Sequence, residues 1–199
     1  MANSTTAFGL IPRKNLHSQP YSGGIMQFSI AAGDGTATFV GDLVKLAGTS
    51  QFINGVIYND IVQAATGNVF CGVVVGFLAD TRDSLIYRAA STQRIALVET
   101  DPNAEFEIRQ VAGGTPLTAN DIGLNANVVV AAGNTFTGLS GMALDNTTEA
   151  TTNTLDLKIT GMPTRPDNDP GSAVGTGADS SAFYVRINRH QFTNQIAGV

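Results

Sequence analysis

The chain is poor in the residue types that build most catalytic and metal sites. Its 199 residues include one cysteine, two histidines and no tryptophan. A single cysteine excludes an intramolecular disulfide, and Cys71 lies in an apolar run that predicts a small buried side chain. Neither His17 nor His190 has a second ligand at metal-binding spacing. The sequence therefore favours a structural or binding role over an enzyme, and it predicts no metal and no cofactor.

Charge is also scarce. Only 14% of the residues are charged, and the net charge is −5. An acidic chain lacks the surplus of Lys and Arg that displaces counterions from phosphates, so we expect no nucleic-acid partner. The chain does not open on a charged and then apolar leader, and no apolar run reaches about 18 residues. We therefore expect neither export by a signal peptide nor a membrane partner.

The chain is rich in turn-forming residues, which lie between short β-prone runs. Its 22 glycines separate runs that predict an all-β fold, an antiparallel β-barrel or sandwich body of roughly nine to twelve short strands. The apolar run Val69–Leu78 predicts the innermost strand, buried on both faces and bulged or bent at Gly72 or Gly76. Asn54-Gly55 predicts a hairpin turn.

Three further segments give more local predictions. Ser84–Ala90 fits a strand or one helical turn, with the strand favoured. Thr154–Thr160 and Phe183–Ile187 alternate apolar with polar residues and predict half-buried strands. In the first of these two strands, the alternation directs Asp156 to solvent.

The stretch Arg94–Val111 carries a strong hairpin signal, because two β-prone runs flank an Asp-Pro turn. Four carboxylates lie along it: Glu99, Asp101, Glu105 and Glu107. Glu105 and Glu107 would lie about 7 Å apart on one side of a strand, and paired carboxylates at such distances serve glycosidases. Because they alternate with apolar positions beside a tight turn, the pattern favours a solvated strand face instead.

We divide the chain into three parts. Residues 1–24 form an extended N-terminal arm, residues 25–192 form a single β-rich body with a long surface loop at 161–181, and residues 193–199 form a C-terminal tail. The arm carries many apolar side chains, so it gains by packing against its own body or a neighbour. Our hypothesis for a capsid or subunit interface comprises the arm residues Phe8, Leu10, Ile11, Pro12, Arg13, Lys14 and Tyr21.

Four smaller motifs have alternative interpretations. Asp167–Gly171 resembles the first half of a calcium loop, but Ala178 stands where the closing carboxylate would be, which favours a plain loop. Ser140 lacks the spacing of a nucleophile elbow. Gly175-Thr176-Gly177 lacks the third glycine of a dinucleotide fingerprint. Asn146-Thr147-Thr148 fits a glycosylation triplet, which has no further meaning without a secretory signal.

Several phrases, spread in order over most of the chain, resemble the head decoration or cement proteins of tailed double-stranded DNA bacteriophages. They are TTAFGLIP and PYSGG in the arm, FVGDLVKLAG at 39–48, GVVVGF at 72–77, DIGLNANVVV at 121–130, LKITGMPTRPDND at 157–169 and VRINRHQF at 185–192. Residues 145–153 and the loop after residue 169 carry no match. The order of the phrases makes the resemblance more specific than any one of them.

The resemblance implies a structural virion protein, without enzymatic activity, on the outer surface of the capsid. Such a protein is assembled in the host bacterial cytoplasm, bridges neighbouring capsomers and strengthens the DNA-filled head. Its partners would be the major capsid protein and copies of itself, with a homotrimer favoured and a dimer as the alternative. Arg13 and Lys14 could pair with capsid carboxylates.

Two other classes of function are also compatible with the sequence. A β-rich adhesion or carbohydrate-binding domain of a virion fibre would require an exposed aromatic platform, and 7% aromatic residues without tryptophan offer little support for one. A small hydrolase would require carboxylates clustered in a cleft.

Overall fold

The computed structural model describes residues 3–16, 19–171, 177–193 and 198. Its regular secondary structure consists almost entirely of β-strands, which confirms the predicted all-β class. Its thirteen strands exceed the expected number. They are β1 (Ile11–Asn15), β2 (Gln19–Pro20), β3 (Ile25–Ile30), β4 (Leu43–Ile53), β5 (Val56–Gln63), β6 (Gly72–Phe77), β7 (Arg94–Glu99), β8 (Ala104–Arg109), β9 (Asn125–Ala126), β10 (Val128–Val129), β11 (Ala143–Leu144), β12 (Leu157–Gly161) and β13 (Ala182–Ile187).

Five strands close into a small barrel in the order β3, β5, β4, β6, β7 and back to β3. All its pairings are antiparallel except that of β3 with β5, which are parallel and meet where Ser29 lies opposite Asp60. The barrel is filled by small and medium apolar side chains with one large ring, Phe28. A barrel of so few strands has room inside for side chains only, so its interior is a packed core.

The other large element is a six-stranded sheet in the order β2, β1, β8, β13, β12, β9, and a short pair formed by β10 and β11 accompanies it. All the pairings within this sheet are antiparallel. Alternate residues of β8, β12 and β13 enter one apolar cluster, which includes Phe106, Ile159 and Phe183. The sheet therefore has one face packed on a core and a second face on the opposite side of the strands.

Strands β4 and β6 are walls that the barrel and the sheet share. Leu43 and Val73 belong to the cluster under the sheet, whereas the next residues, Val44 and Val74, point into the barrel. All four side chains are fully buried. The first half of β6 is therefore buried on both faces, as its unbroken apolar sequence predicts, whereas its last three residues keep partial exposure. The predicted irregularity is also present, because the pairing with β7 shifts between Val74 and Gly76.

The prediction of a hairpin at Arg94–Val111 is wrong, although both of its strands exist. Strand β7 pairs with β3 and β6 in the barrel, while β8 pairs with β1 and β13 in the sheet. The backbone N–H of Thr100 still donates to Gly24 O beside the barrel, and the turn from Asp101 to Ala104 then carries the chain into the sheet. A tight turn in sequence thus links two sheets, because each strand pairs on both sides with strands that are distant in sequence.

Other local predictions divide between confirmed and wrong. Asn54 and Gly55 have φ of 52° and 86° and join β4 to β5, so the predicted hairpin turn is confirmed. Ser84–Ala90 contains only an isolated bridge between Arg88 and Thr38, so the favoured strand is wrong. The fully buried Arg88 guanidinium instead donates to four backbone carbonyls of the surrounding loops, and these bonds fix an irregular path.

The two alternating segments form β12 and β13 as predicted, with one exception. Asp156 is fully buried and does not face solvent. It precedes β12, and its carboxylate accepts hydrogen bonds from the backbone N–H groups of Gly67 and Val128. Burial raises the pKa of this carboxyl, while those two donors act in the opposite direction. The alternation failed here because a loop, and not water, satisfies the carboxylate.

Candidate interface surfaces

The arm lies against its own body. Strand β1 is antiparallel to β8, and β2 extends the sheet beyond β1. The Leu10 side chain is 1% exposed and belongs to the core of the sheet. The Phe8 ring lies 5.3 Å from the guanidinium carbon of Arg109. Of the residues proposed for an interface, Leu10 is thus committed to the fold, while Ile11, Pro12, Arg13 and Lys14 keep solvent exposure.

Arg13 meets a buried carboxylate on β8. Its Nε lies 2.9 Å from Oε2 of Glu107, whose side chain is 1% exposed. Arg165, from the loop after β12, binds the same carboxylate through two nitrogens, at 2.8 Å and 2.5 Å. The hydrogen bond to Glu107 is the main cause that raises the pKa of Arg165. One buried acid therefore holds two partly exposed guanidinium groups in place.

Lys14 repeats this arrangement one position further along. Its Nζ lies 3.2 Å from the buried carboxylate of Glu105 and 4.7 Å from the centre of the Tyr184 ring. The pairing of β1 with β8 shifts between Pro12 and Lys14. A bulge of this kind brings successive side chains to one side of a strand, which explains why Arg13 and Lys14 both reach carboxylates on the same face.

The expectation that the carboxylates form a solvated strand face is wrong. Glu99 and Glu107 are fully buried, and Glu105 is nearly so. The charges of Glu105 and Glu107 are compensated by cations of the arm and of the loop carrying Arg165, neither of which is adjacent in sequence. Alternation alone cannot reveal such a cover. Glu105 and Glu107 lie beneath these cations, whereas Glu99 accepts hydrogen bonds from Tyr21 and from backbone N–H groups.

Tyr21 anchors the end of the arm on the barrel. Its hydroxyl donates a hydrogen bond to Glu99, which also accepts from the backbone N–H groups of Gly24 and Asp101. Burial, followed by the hydrogen bond to Glu99 and its charge, raises the pKa of Tyr21. Its hydroxyl is therefore occupied within the chain.

The most exposed apolar pair of the described chain outside a loop lies on the β4–β5 hairpin. Phe52 and Ile57 are direct cross-strand partners, and they are 74% and 71% exposed. Val56, beside the turn, is 48% exposed. The inner halves of both strands lie in the barrel, but residues 50–59 continue beyond it as a two-stranded ribbon. We call this segment the ribbon; nothing in the sequence pattern distinguished its apolar face from a core face.

A second apolar set lies in loops. Phe136 is 92% exposed at the tip of the turn that follows β10, and Leu85 and Ile86 are also exposed. Ile86 packs close to Gly138, where an added Cβ would lie 2.6 Å from its side chain. These loops therefore touch each other and present their apolar side chains outward.

The calcium-like segment is used for internal contacts. The side-chain amide of the buried Asn168 donates hydrogen bonds to Pro163 O and Ala182 O, and it accepts one from Ala182 N. Asp167 pairs with Arg165, and Asp169 accepts from Gly171 N. Within the residues that the structure describes, no group of three or more His, Cys, Asp or Glu side chains could hold a metal ion.

The remaining sequence candidates are also structural in their placement. Cys71 is fully buried, as predicted, and burial raises the pKa of its thiol to about 12. Ser140 is buried, with its hydroxyl accepting from Met142 N. Asn146 is buried and donates to Gly113 O. His17 and residues 175–176 lie outside the described residues, as does most of the predicted tail.

No family model, no curated protein and no solved structure matches this chain. The described part of the chain contains no helix that is long and apolar enough to cross a membrane.

Proposed function

We propose that this chain is a structural virion protein that binds the outer surface of the capsid shell of a tailed double-stranded DNA bacteriophage and cements neighbouring capsomers. The observation that carries this proposal is the ribbon, because it holds Phe52 and Ile57 in water at a protruding position. The ordered resemblance to head decoration proteins names the partner, the major capsid protein. The proposed site of action is the capsid exterior, after assembly in the host cytoplasm.

The physical case is that an exposed apolar pair is stabilised when a partner covers it. An aromatic side chain buries about 150–250 Å² at an interface, and large exposed apolar groups mark interaction surfaces. A contact of this size is weak alone, but repetition over symmetric sites raises the overall avidity. We favour self-association as a trimer, with a dimer as the alternative, since a cement protein bridges several capsomers.

The test uses expanded heads that lack this protein. Added wild-type protein should bind at regular positions on the shell in particle images and should raise the temperature at which the heads release DNA. The variant Phe52→Ser/Ile57→Ser should bind more weakly. The matched control is Ile86→Ser/Phe136→Ser, which removes two exposed apolar side chains from the loops.

Three outcomes would contradict the proposal. Shell binding could be absent, density could appear only at the tail, or density could appear only on fibres. The last result would support the adhesion alternative. If the ribbon variant and the loop control lost shell binding to the same extent, the proposal of capsid binding would stand, but the ribbon would not be the surface that mediates it.

A further inference from the structure

The outer face of the six-stranded sheet collects most of the positive charge of the chain. On β8, β12 and β13, core residues such as Phe106, Ile159 and Val185 alternate with residues on this opposite face. We call it the basic face and include the loop segment Arg165–Asp167 that lies on it. Its cations are Arg13, Lys14, Arg109, Lys158, Arg165 and Arg186, and its anions are Glu105, Glu107 and Asp167.

The distribution of charge is uneven. The face holds six of the eleven Lys and Arg residues but only three of the sixteen Asp and Glu residues. It therefore carries about three positive charges, while five cations and thirteen anions elsewhere leave the remainder with about eight negative charges. Counting Asp101 as well, which precedes the Pro102 carbonyl bonded by Arg186, still leaves the face positive. The net charge of −5 hides this polarity.

The cations are held in order by groups beneath them. Glu107 fixes Arg13 and Arg165, and Glu105 fixes Lys14. The side chains of these three cations remain 44%, 31% and 32% exposed, respectively. An ordered, partly exposed cation loses less conformational entropy on binding than a free one. The buried acids thus preorganise the array without covering it.

The array spans the sheet. Lys14 is the cross-strand partner of Glu105, and Lys158 is the partner of Arg186. The β8–β13 register continues this row from Glu105 to Arg186. Four neighbouring strands cover about 14 Å at the usual strand spacing. The row therefore presents cations at both of its ends, with Glu105 between them.

This chemistry fits carboxylates on a protein better than a phosphate backbone. Duplex DNA is a continuous polyanion, and its binding needs several cations free to neutralise phosphates. Here three cations already share buried acids, and the strongly negative remainder of the chain would repel a long polyanion. A protein surface with a few spaced carboxylates meets only the face, so the same remainder penalises it less.

We propose that the basic face docks on a carboxylate-rich protein surface, through Arg13, Lys14, Lys158, Arg165 and Arg186. This inference rests on the proposed function and supplies the chemistry of the capsid surface that the chain would meet. The face would set orientation and association rate, while the ribbon would contribute apolar burial.

The test compares charge reversals of equal size. Lys158→Glu/Arg186→Glu lies on the face, and neither side chain binds the buried acids in the described contacts. Lys45→Glu/Arg82→Glu lies elsewhere and changes the net charge equally. We measure cosedimentation with heads lacking the protein over a range of NaCl concentrations. Separately, we measure the binding of duplex DNA and of poly-L-glutamate chains that are short enough to lie on the basic face alone.

We expect the face variant to bind heads about tenfold more weakly, with a smaller dependence on salt, and the control to stay within about twofold of wild type. Poly-L-glutamate binding should fall in the face variant alone. Equal behaviour of the two variants on heads would overturn the inference. DNA binding as tight as that of poly-L-glutamate, and lost in the face variant, would overturn it in favour of a phosphate ligand. If wild type binds poly-L-glutamate through the face but never binds heads, the inference about the face stands and the proposed function fails.

Discussion

The outer surfaces of the barrel and of the six-stranded sheet differ in what covers them. The barrel extends a ribbon whose apolar residues Phe52 and Ile57 face water. The sheet covers its outer side with the arm and with ion pairs that converge on Glu105 and Glu107. The arm therefore contributes to the fold first, whereas the ribbon is free to contribute to binding.

The two regions nevertheless form one cooperative structure. The cluster under the sheet includes Leu43 and Val73 from barrel strands, so neither core is complete alone. Near the C-terminus, His190 forms an isolated β-bridge with Phe70, and the N–H of Gln191 donates to Phe70 O. A two-state transition is therefore the expected behaviour of the whole chain, and substitutions in either region should be felt in the other.

The sharpest way to separate the regions is to remove the cations over Glu107. Arg13→Met or Arg165→Met alone should cost about 1 kcal/mol, because the other guanidinium still compensates the buried acid. The double variant should cost about 3–5 kcal/mol, because a buried charge is then left unpaired. Denaturant unfolding of the four proteins measures this non-additivity.

Glu107→Gln added to the double variant is the control, since it removes the buried charge and should restore part of the lost stability. Additive costs without this rescue would show that Glu107 is not the group that holds the arm to the sheet.

The stability of the contact between the two regions should depend on pH through His190. Burial lowers its pKa to about 4. Its Nδ1 accepts from Phe192 N, so protonation would break that bond. The unfolded chain binds the proton from about pH 6.5 downward. Stability is therefore present above pH 6.5 and falls as the pH drops towards 4, by up to about 3 kcal/mol.

His190→Asn keeps an acceptor and should flatten this dependence between pH 6.5 and 4, as measured by thermal unfolding. The matched control is His17→Asn, which changes the other histidine of the chain. Asp42 and Asp156 have pKa values raised by burial and act in the opposite direction at low pH, so the informative quantity is the difference from wild type. An unchanged slope in His190→Asn would exclude this residue as the cause.

Within the barrel, substitution by alanine should affect stability differently at the two glycines of β6. An added Cβ at Gly72 would lie 2.1 Å from the backbone oxygen of Glu99, while one at Gly76 would be 3.8 Å from Leu97. Gly72→Ala should therefore cost at least about 1–3 kcal/mol. Gly76→Ala should be neutral or stabilise by up to about 1 kcal/mol. Equal denaturation midpoints for both variants would contradict the close approach of β6 and β7 at Gly72.

The sequence predicts strands better than it predicts their partners. The apolar run of β6 and the Asn54-Gly55 turn are local signals, and both were confirmed. The pairing of β7 and β8 with different sheets depends on contacts distant in sequence, which a local turn motif cannot specify. The prediction fell short of thirteen strands because two-residue strands such as β9 and β11 lie below the length at which periodicity is visible.

The candidate surfaces were predictable only in part. Arg13 and Lys14 were in the predicted interface, and they do belong to the basic face. Arg165, Lys158 and Arg186 were missed, because the sheet brings them together from β12, β13 and a loop. The ribbon was missed for another reason. Apolar residues in a strand have the same sequence pattern whether they face a core or water.

The smallest expected effect on stability belongs to the ribbon itself. Phe52→Ser/Ile57→Ser should change the free energy of unfolding by no more than about 0.5 kcal/mol, since both side chains are already in water. Ile61, which lies on β5 like Ile57, is fully buried in the barrel, so Ile61→Ala should cost about 2–5 kcal/mol. Urea denaturation distinguishes the two. A large loss in the ribbon variant would mean that the ribbon supports the fold, and its exposed pair could then no longer be assigned to binding.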